Sequence, residues 1–159
     1  MKLFLAVGTH AQFNRLVKKF DELVLKKSFS FQIFAQIGKS DYEPTNFSFK
    51  RFLTDKEFNE KIDWADVVVC HSGAGTILNS FVKEKKVIVV PRLKKFKEHT
   101  DNHQLDLAIA LQREKKVLAV FKMSELEMVL NQIKLFEPDL TSSKQPLINA
   151  LNQFLGGSE

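Results

Sequence analysis

Apolar runs alternate with stretches of helical period from one end of the chain to the other. Residues 2–7 are almost continuously apolar and stop at Gly8-Thr9, which predicts a buried strand and a tight turn. Over 12–25 the apolar positions Phe13, Leu16, Val17, Phe20, Leu23 and Val24 share one helical face. Residues 29–37 alternate through Phe29, Phe31 and Ile33 and end at Gly38, a strand; 46–52 predict a shorter strand through Phe47, Phe49 and Phe52. Thr54 with Glu57 three residues on is the capping-box signature of a helix over 54–64. DVVVC at 66–70 is the clearest central strand, followed by HSGAGT and a helix over 77–83. KVIVV at 86–90, closed by Pro91, and residues 116–121 predict two further strands. Helices are predicted over 100–112, capped by Thr100, over 124–135, opened by Ser124 with Glu127, and over 145–155, beyond a connector at 137–144.

Continuous apolar strands separated by helices predict a parallel sheet covered on both faces. The expected architecture is one doubly wound, Rossmann-like α/β domain spanning 1–159. Ligands in such sheets lie beyond the carboxyl ends of the strands, where the strand order reverses. Candidate chemistry is therefore sought after each strand.

HSGAGT carries a strand into a small-residue turn that opens a helix. Small residues admit an anion close to backbone N–H groups, and a helix N-terminus favours negative charge. A phosphate or diphosphate is the natural guest of Ser72, Gly73, Ala74, Gly75 and Thr76; a tight turn that binds nothing is the competing reading. Gly73-Ala74-Gly75 matches part of a dinucleotide fingerprint, but its third glycine position is Leu78 and no acidic residue ends the next strand, which disfavours NAD. Gly8-Thr9 is a second phosphate turn or a plain strand exit, and His10 either donates to an oxyanion or starts the helix. Pro91 leads into a basic stretch with Arg92, Lys94, Lys95 and Lys97, read either as a ligand or partner contact or as a solvated charged face. Asp101 suits a helix first turn; Asn102, His103 and Gln104 beside it are hydrogen-bonding groups of the kind sugar hydroxyls require.

With 159 residues the chain is expected to form one domain with a real core. The net charge of +5 permits anionic partners without selecting one, and no RNA-binding signature accompanies it. A single cysteine, Cys70, inside an apolar run predicts a buried thiol in a reducing, cytoplasmic setting. The first apolar run is too short for a signal peptide, and no stretch reaches the roughly 18–20 apolar residues of a membrane span. His99 and His103 have the i, i+4 spacing of a zinc pair only on a continuous helix, and HExxH is absent, so no metal is expected.

Four ordered segments, VGTH ending at His10, HSGAGT at 71–76, VIVVPR at 87–92 and DNHQLDLA at 101–108, resemble the C-terminal, nucleotide-sugar half of MurG-type glycosyltransferases, family 28 with the GT-B fold. The likeness covers about residues 1–120 and is strongest to free-standing members. These include the small catalytic subunit of the two-subunit N-acetylglucosaminyltransferase of asparagine-linked glycan assembly, and bacterial PssE and EpsF type proteins of exopolysaccharide and capsule synthesis.

The resemblance implies a UDP-sugar donor, with Gly8, Thr9 and Ser72–Thr76 holding the diphosphate. Asn79 stands where the family has an acidic ribose-binding residue, which removes a charge-assisted acceptor. Asp101 and Gln104 match the family's sugar-contacting pair, and the loop around Arg92 is expected near the donor or a partner interface. It further implies inverting transfer to a lipid-linked saccharide without cofactor or metal. The general base is expected from a membrane-associated, acceptor-binding partner subunit, with His10 a weaker candidate on this chain. By length the chain is expected to be half of such an enzyme. It would lie at the inner face of the membrane through that partner, with the 137–159 segment as docking element, and it could form a homodimer when isolated.

Overall fold

A computed structural model describes residues 1–140 and residue 149. Six strands form one sheet in the order β3-β2-β1-β4-β5-β6, every pair parallel. They are β1 (Lys2–Ala6), β2 (Gln32–Gln36), β3 (Ser48–Lys50), β4 (Val67–His71), β5 (Lys86–Val90) and β6 (Leu118–Ala119). The helices are α1 (Asn14–Leu25), α2 (Asp55–Trp64), α3 (Ala74–Val82), α4 (His103–Arg113) and α5 (Leu126–Gln132). The expected Rossmann-like parallel sheet is present, and its order reverses between β1 and β4.

Pleating sends alternate residues to opposite faces. Leu3, Leu5, Val67, Val69 and Ile88 pack with Phe13, Leu16, Val17 and Phe20 near α1 and Leu126, Val129 and Leu130 of α5. Phe4, Ala6, Val68, Cys70, Val87 and Val89 pack on the other side with Ile62 of α2, Ile77 and Phe81 of α3, and Leu107 and Leu111 of α4. Each fully buried Leu, Ile or Phe contributes about 1.5–3 kcal/mol relative to exposure, and the sheet has such a layer on each face.

Several elements are shorter than their patterns suggest. β2 begins at Gln32, whose amide donates to Met1 O, because β1 offers no earlier partner to residues 29–31. β3 shrinks to three residues because the amides of Thr45 and Asn46 donate to the Asp21 carboxylate instead of a ladder. Burial would raise the Asp21 pKa, but these bonds and Tyr42 hold it below its usual value. β6 pairs only through Leu118 and Ala119. The capping box at Thr54 and Glu57 forms as predicted.

Two predicted caps are corrected. Thr100 does not open α4: the N-cap is Asn102, and Asp101 accepts from the His103 amide at 2.9 Å. Nor does Ser124 open a helix with Glu127: a 3-10 turn over Met123–Glu125 precedes α5, where Glu125 accepts from the Lys122 amide. α3 starts at Ala74 rather than at residue 77, inside the glycine turn itself. The expected 145–155 helix and the docking role given to the C-terminal segment fall largely outside the described residues. Among the described residues no helix is long and apolar enough to cross a membrane.

Candidate functional site at the carboxyl edge of the sheet

The reversal in strand order places the ends of β1 and β4 side by side. After β1, Gly8 has φ +81°, a conformation that favours glycine, and Thr9 and His10 stand exposed. After β4, His71 and Ser72 lead to Gly73, the N-cap of α3, which has no side-chain cap. Among the described residues no side chain caps the first-turn N–H groups of α3, and α3 is long enough to carry a helix dipole.

His71 joins the two turns. Its ring lies where a Cβ on Gly8 would come within 2.8 Å of Cε1 and a Cβ on Gly73 within 2.5 Å of Nε2. Both glycines are therefore required by the same imidazole. Nδ1 lies 3.5 Å from Ala6 O. Burial, reinforced by the Arg92 charge, pushes the His71 pKa down to about 3, so the ring is neutral at physiological pH. The sequence pattern places His71 just after the DVVVC strand, at the head of HSGAGT, without giving it a role of its own; its visible signal is a histidine that follows an apolar strand and precedes a glycine turn. Gly38, the glycine that ends the predicted second strand, has φ +54°, and a Cβ there would meet Gly8 O at 2.2 Å.

Arg92 differs most from expectation. It is not a solvated loop cation but is 2% exposed, and its Nη2 donates to Val7 O and to Ala11 O, the latter at 2.7 Å. Burial lowers its pKa to about 10, with Glu98 opposing the shift. The backbone amide of Arg92 donates to Gln104 Oε1 at 3.0 Å, and the Lys94 amide donates to Asn102 Oδ1 at 3.2 Å. The loop after β5 is clamped to α1 by Arg15, which pairs with Glu98 at 2.6 Å and donates to Pro91 O. Lys94, Lys95 and Lys97 remain exposed, as a solvated face would require.

Gly8, Ser72–Thr76, Arg92 and Gln104 are thus brought together around the ends of β1, β4 and β5. Asp101 and His103 lie at the margin: the Asp101 carboxylate pairs with His99 at 3.1 Å, and the backbone bond from His103 together with His99 holds its pKa below the usual value. His99 precedes α4, so the continuous-helix zinc pair does not form. Among the described residues no three His, Cys, Asp or Glu side chains group to hold a metal ion. Asn79 sits a turn along α3 and donates to Asn59 Oδ1 of α2 at 2.7 Å. Two buried side-chain polar atoms are without a partner among the described residues, Ser72 Oγ and Arg92 Nε, and both belong to this edge.

The model of the glycosyltransferase family 28 C-terminal domain matches residues 2–154. This chain belongs to that family. It is 34% identical over 121 residues to the human UDP-N-acetylglucosamine transferase subunit ALG13, covering 70% of this chain and 10% of that protein. It is 28% identical over 139 residues to a UDP-N-acetylglucosamine–N-acetylmuramyl-(pentapeptide) pyrophosphoryl-undecaprenol N-acetylglucosamine transferase of Aliivibrio salmonicida, covering 81% of this chain and 39% of that one. The chain therefore spans well under half of either relative. In fold it is similar to an NMR structure of ALG13 (TM-score 0.63, 18% identity, 94% of each chain). It is also similar to MurG of Acinetobacter baumannii (TM-score 0.60, 18% identity, 94% of this chain and 44% of that one). The resemblance seen in the four motifs is confirmed at the level of family and fold.

Proposed function

We propose that this family 28 glycosyltransferase chain is the UDP-sugar-binding catalytic subunit of a two-component, inverting hexosyltransferase. Its acceptor would be a lipid-linked saccharide in capsule, exopolysaccharide or related glycan synthesis. One observation carries the reading. Among the described residues two buried side-chain donors, Ser72 Oγ after β4 and Arg92 Nε after β5, have no partner, and no side chain caps the N-terminus of α3 at Gly73. Such donors without acceptors suit a ligand rich in acceptors and negative charge, as a diphosphate is.

In this reading the Gly8-Thr9 turn and Ser72–Thr76 hold the diphosphate, Asn79 receives a ribose hydroxyl, and Asp101, Asn102, His103 and Gln104 border the sugar. UDP leaves as the anomeric C–O bond breaks, and the α3 N–H groups stabilise the charge that develops on it. The acceptor hydroxyl attacks from the opposite face and loses its proton to a base. That base belongs to a membrane-associated partner subunit, with exposed His10 the candidate on this chain. No cofactor or metal is required, and the chain sits at the cytoplasmic membrane face through its partner, without nucleic acid.

Calorimetric titration with UDP, against ADP, GDP and NAD, tests the donor assignment. Selective UDP binding that weakens in Thr76→Ala and Gln104→Ala supports it; preference for ADP or NAD overturns it in favour of another nucleotide-binding module. A second reading, a non-catalytic stabilising subunit, draws on Asn79, whose amide is already bonded to Asn59. It predicts that Asp101→Asn and Gln104→Ala leave turnover of the assembled complex unchanged.

A further inference from the structure

We infer that Arg92 is a positioning residue for the donor site: its buried guanidinium fixes the turn of Gly8, Thr9 and His10, and through it the affinity for the donor diphosphate. This rests on the donor-binding reading above. Arg92 Nη2 donates to the carbonyls on either side of the turn, Val7 O and Ala11 O. Among the described residues no hydrogen bond takes the amide of Gly8, Thr9, His10 or Ala11. Beyond the packing of Gly8 against His71 and Gly38, the turn is thus held through its two flanking carbonyls at one nitrogen, and among the described residues its amides are uncommitted. A turn of that kind would ordinarily be a mobile loop.

The anchor is itself fixed from several directions. Its backbone amide is bonded to Gln104 at the start of α4, and its guanidinium lies 5.4 Å from the Phe13 ring centroid. The following residue, Leu93, donates its amide to Glu98, which is paired with Arg15 of α1. One side chain thus ties the turn after β1 to the loop after β5 and the start of α4, the walls between which a diphosphate would lie. A planar guanidinium suits this task because one nitrogen carries two hydrogens in fixed directions, which a lysine ammonium does not. Its Nε, without a partner among the described residues, is one further donor.

The test uses the full chain, with ¹⁵N relaxation of the turn amides and calorimetric titration with UDP. In the wild type, the order parameters of Thr9 and His10 are expected to match those of α1. In Arg92→Met they should fall below about 0.6, the range of flexible backbone, while those of α5 stay unchanged. UDP affinity should drop about tenfold, the scale of a lost charge-assisted bond. Should Arg92→Met fail to fold, Arg92→Lys keeps the charge without the fork and is expected to loosen the same turn to a smaller degree. Wild-type turn dynamics in both variants would overturn the inference, as would loss of affinity in Met but not Lys with the turn unmoved, which assigns the effect to charge alone. No UDP binding by the wild type would overturn the donor reading and the affinity half of this inference, whereas the relaxation result reads the anchor by itself.

Discussion

Asn79 Nδ2 donates to Asn59 Oδ1 at 2.7 Å, and Asn59 Nδ2 donates to Asp55 O at 2.9 Å. A backbone carbonyl only accepts, so this relay sets both amide orientations and leaves Asn79 Oδ1 as a neutral acceptor. Asn79→Asp replaces the donor by a second acceptor facing Asn59 Oδ1. The variant should lose about 1 kcal/mol of stability from the broken bond and gain several-fold in UDP affinity through a charge-assisted contact. Urea denaturation and calorimetry read the two effects separately. Unchanged affinity would remove Asn79 from the donor site.

The glycines of HSGAGT should respond in opposite senses. A Cβ on Gly73 meets His71 Nε2 at 2.5 Å, whereas one on Gly75 meets nothing within 4 Å. Gly73→Ala should destabilise the fold by about 1–3 kcal/mol through overpacking. Gly75→Ala, in the first turn of α3, should stabilise it by about 0.5–1 kcal/mol by restricting the unfolded chain, yet weaken UDP binding by crowding the approach to the helix N-terminus. Thermal melts with and without UDP check both. Stabilised protein with full affinity would place the diphosphate elsewhere.

His71 imposes a pH dependence. Its native pKa of about 3 lies below the ordinary value of 6.5, so between those values the unfolded chain binds the proton and the native chain does not. The stability that the neutral ring contributes is complete above pH 6.5 and declines as the pH falls toward 3, by up to about 1.4 kcal/mol per unit. Glu57, held at about 2 chiefly by Lys50, adds a loss of the same sign only below its ordinary 4.5. The window from 4.5 to 6.5 therefore separates histidine from this carboxylate. His71→Asn should flatten the profile of urea midpoints there; an equal slope would show that the ring is not held neutral.

Glu98 is 1% exposed and receives both Arg15 and the Leu93 amide. Glu98→Ala strands a partly buried guanidinium and an amide together, so a loss of about 3 kcal/mol is expected. Gln should recover part of it, since it keeps an acceptor. If the Ala variant melts with the wild type, the clamp on the loop after β5 is not a source of stability.

The sheet was legible because its strands are buried on both faces: DVVVC and KVIVV have no other way to hide their side chains. The glycine turns were legible for a related reason, since small residues between strand and helix mark close backbone approach. What escaped detection depended on distant partners. Arg92 sits among lysines in sequence, and only the carbonyls of Val7 and Ala11, more than eighty positions away, make it a buried anchor. Thr100 had the chemistry of a cap, but Asp101 reached the His103 amide. The extent of β2 and β3 was decided by where β1 begins and by the carboxylate of Asp21, neither of which is visible in their own residues.

Cys70 is the only thiol in the chain. It pairs with Ala6 on one side and Val89 on the other, is fully buried, and has its pKa pushed up to about 12 by burial. Alkylation proceeds through the thiolate, so the folded molecule is doubly protected, by access and by ionisation. The protein thereby carries its own stopwatch: the rate at which an alkylating reagent consumes Cys70 measures how often the centre of the sheet comes apart, without any label having been added.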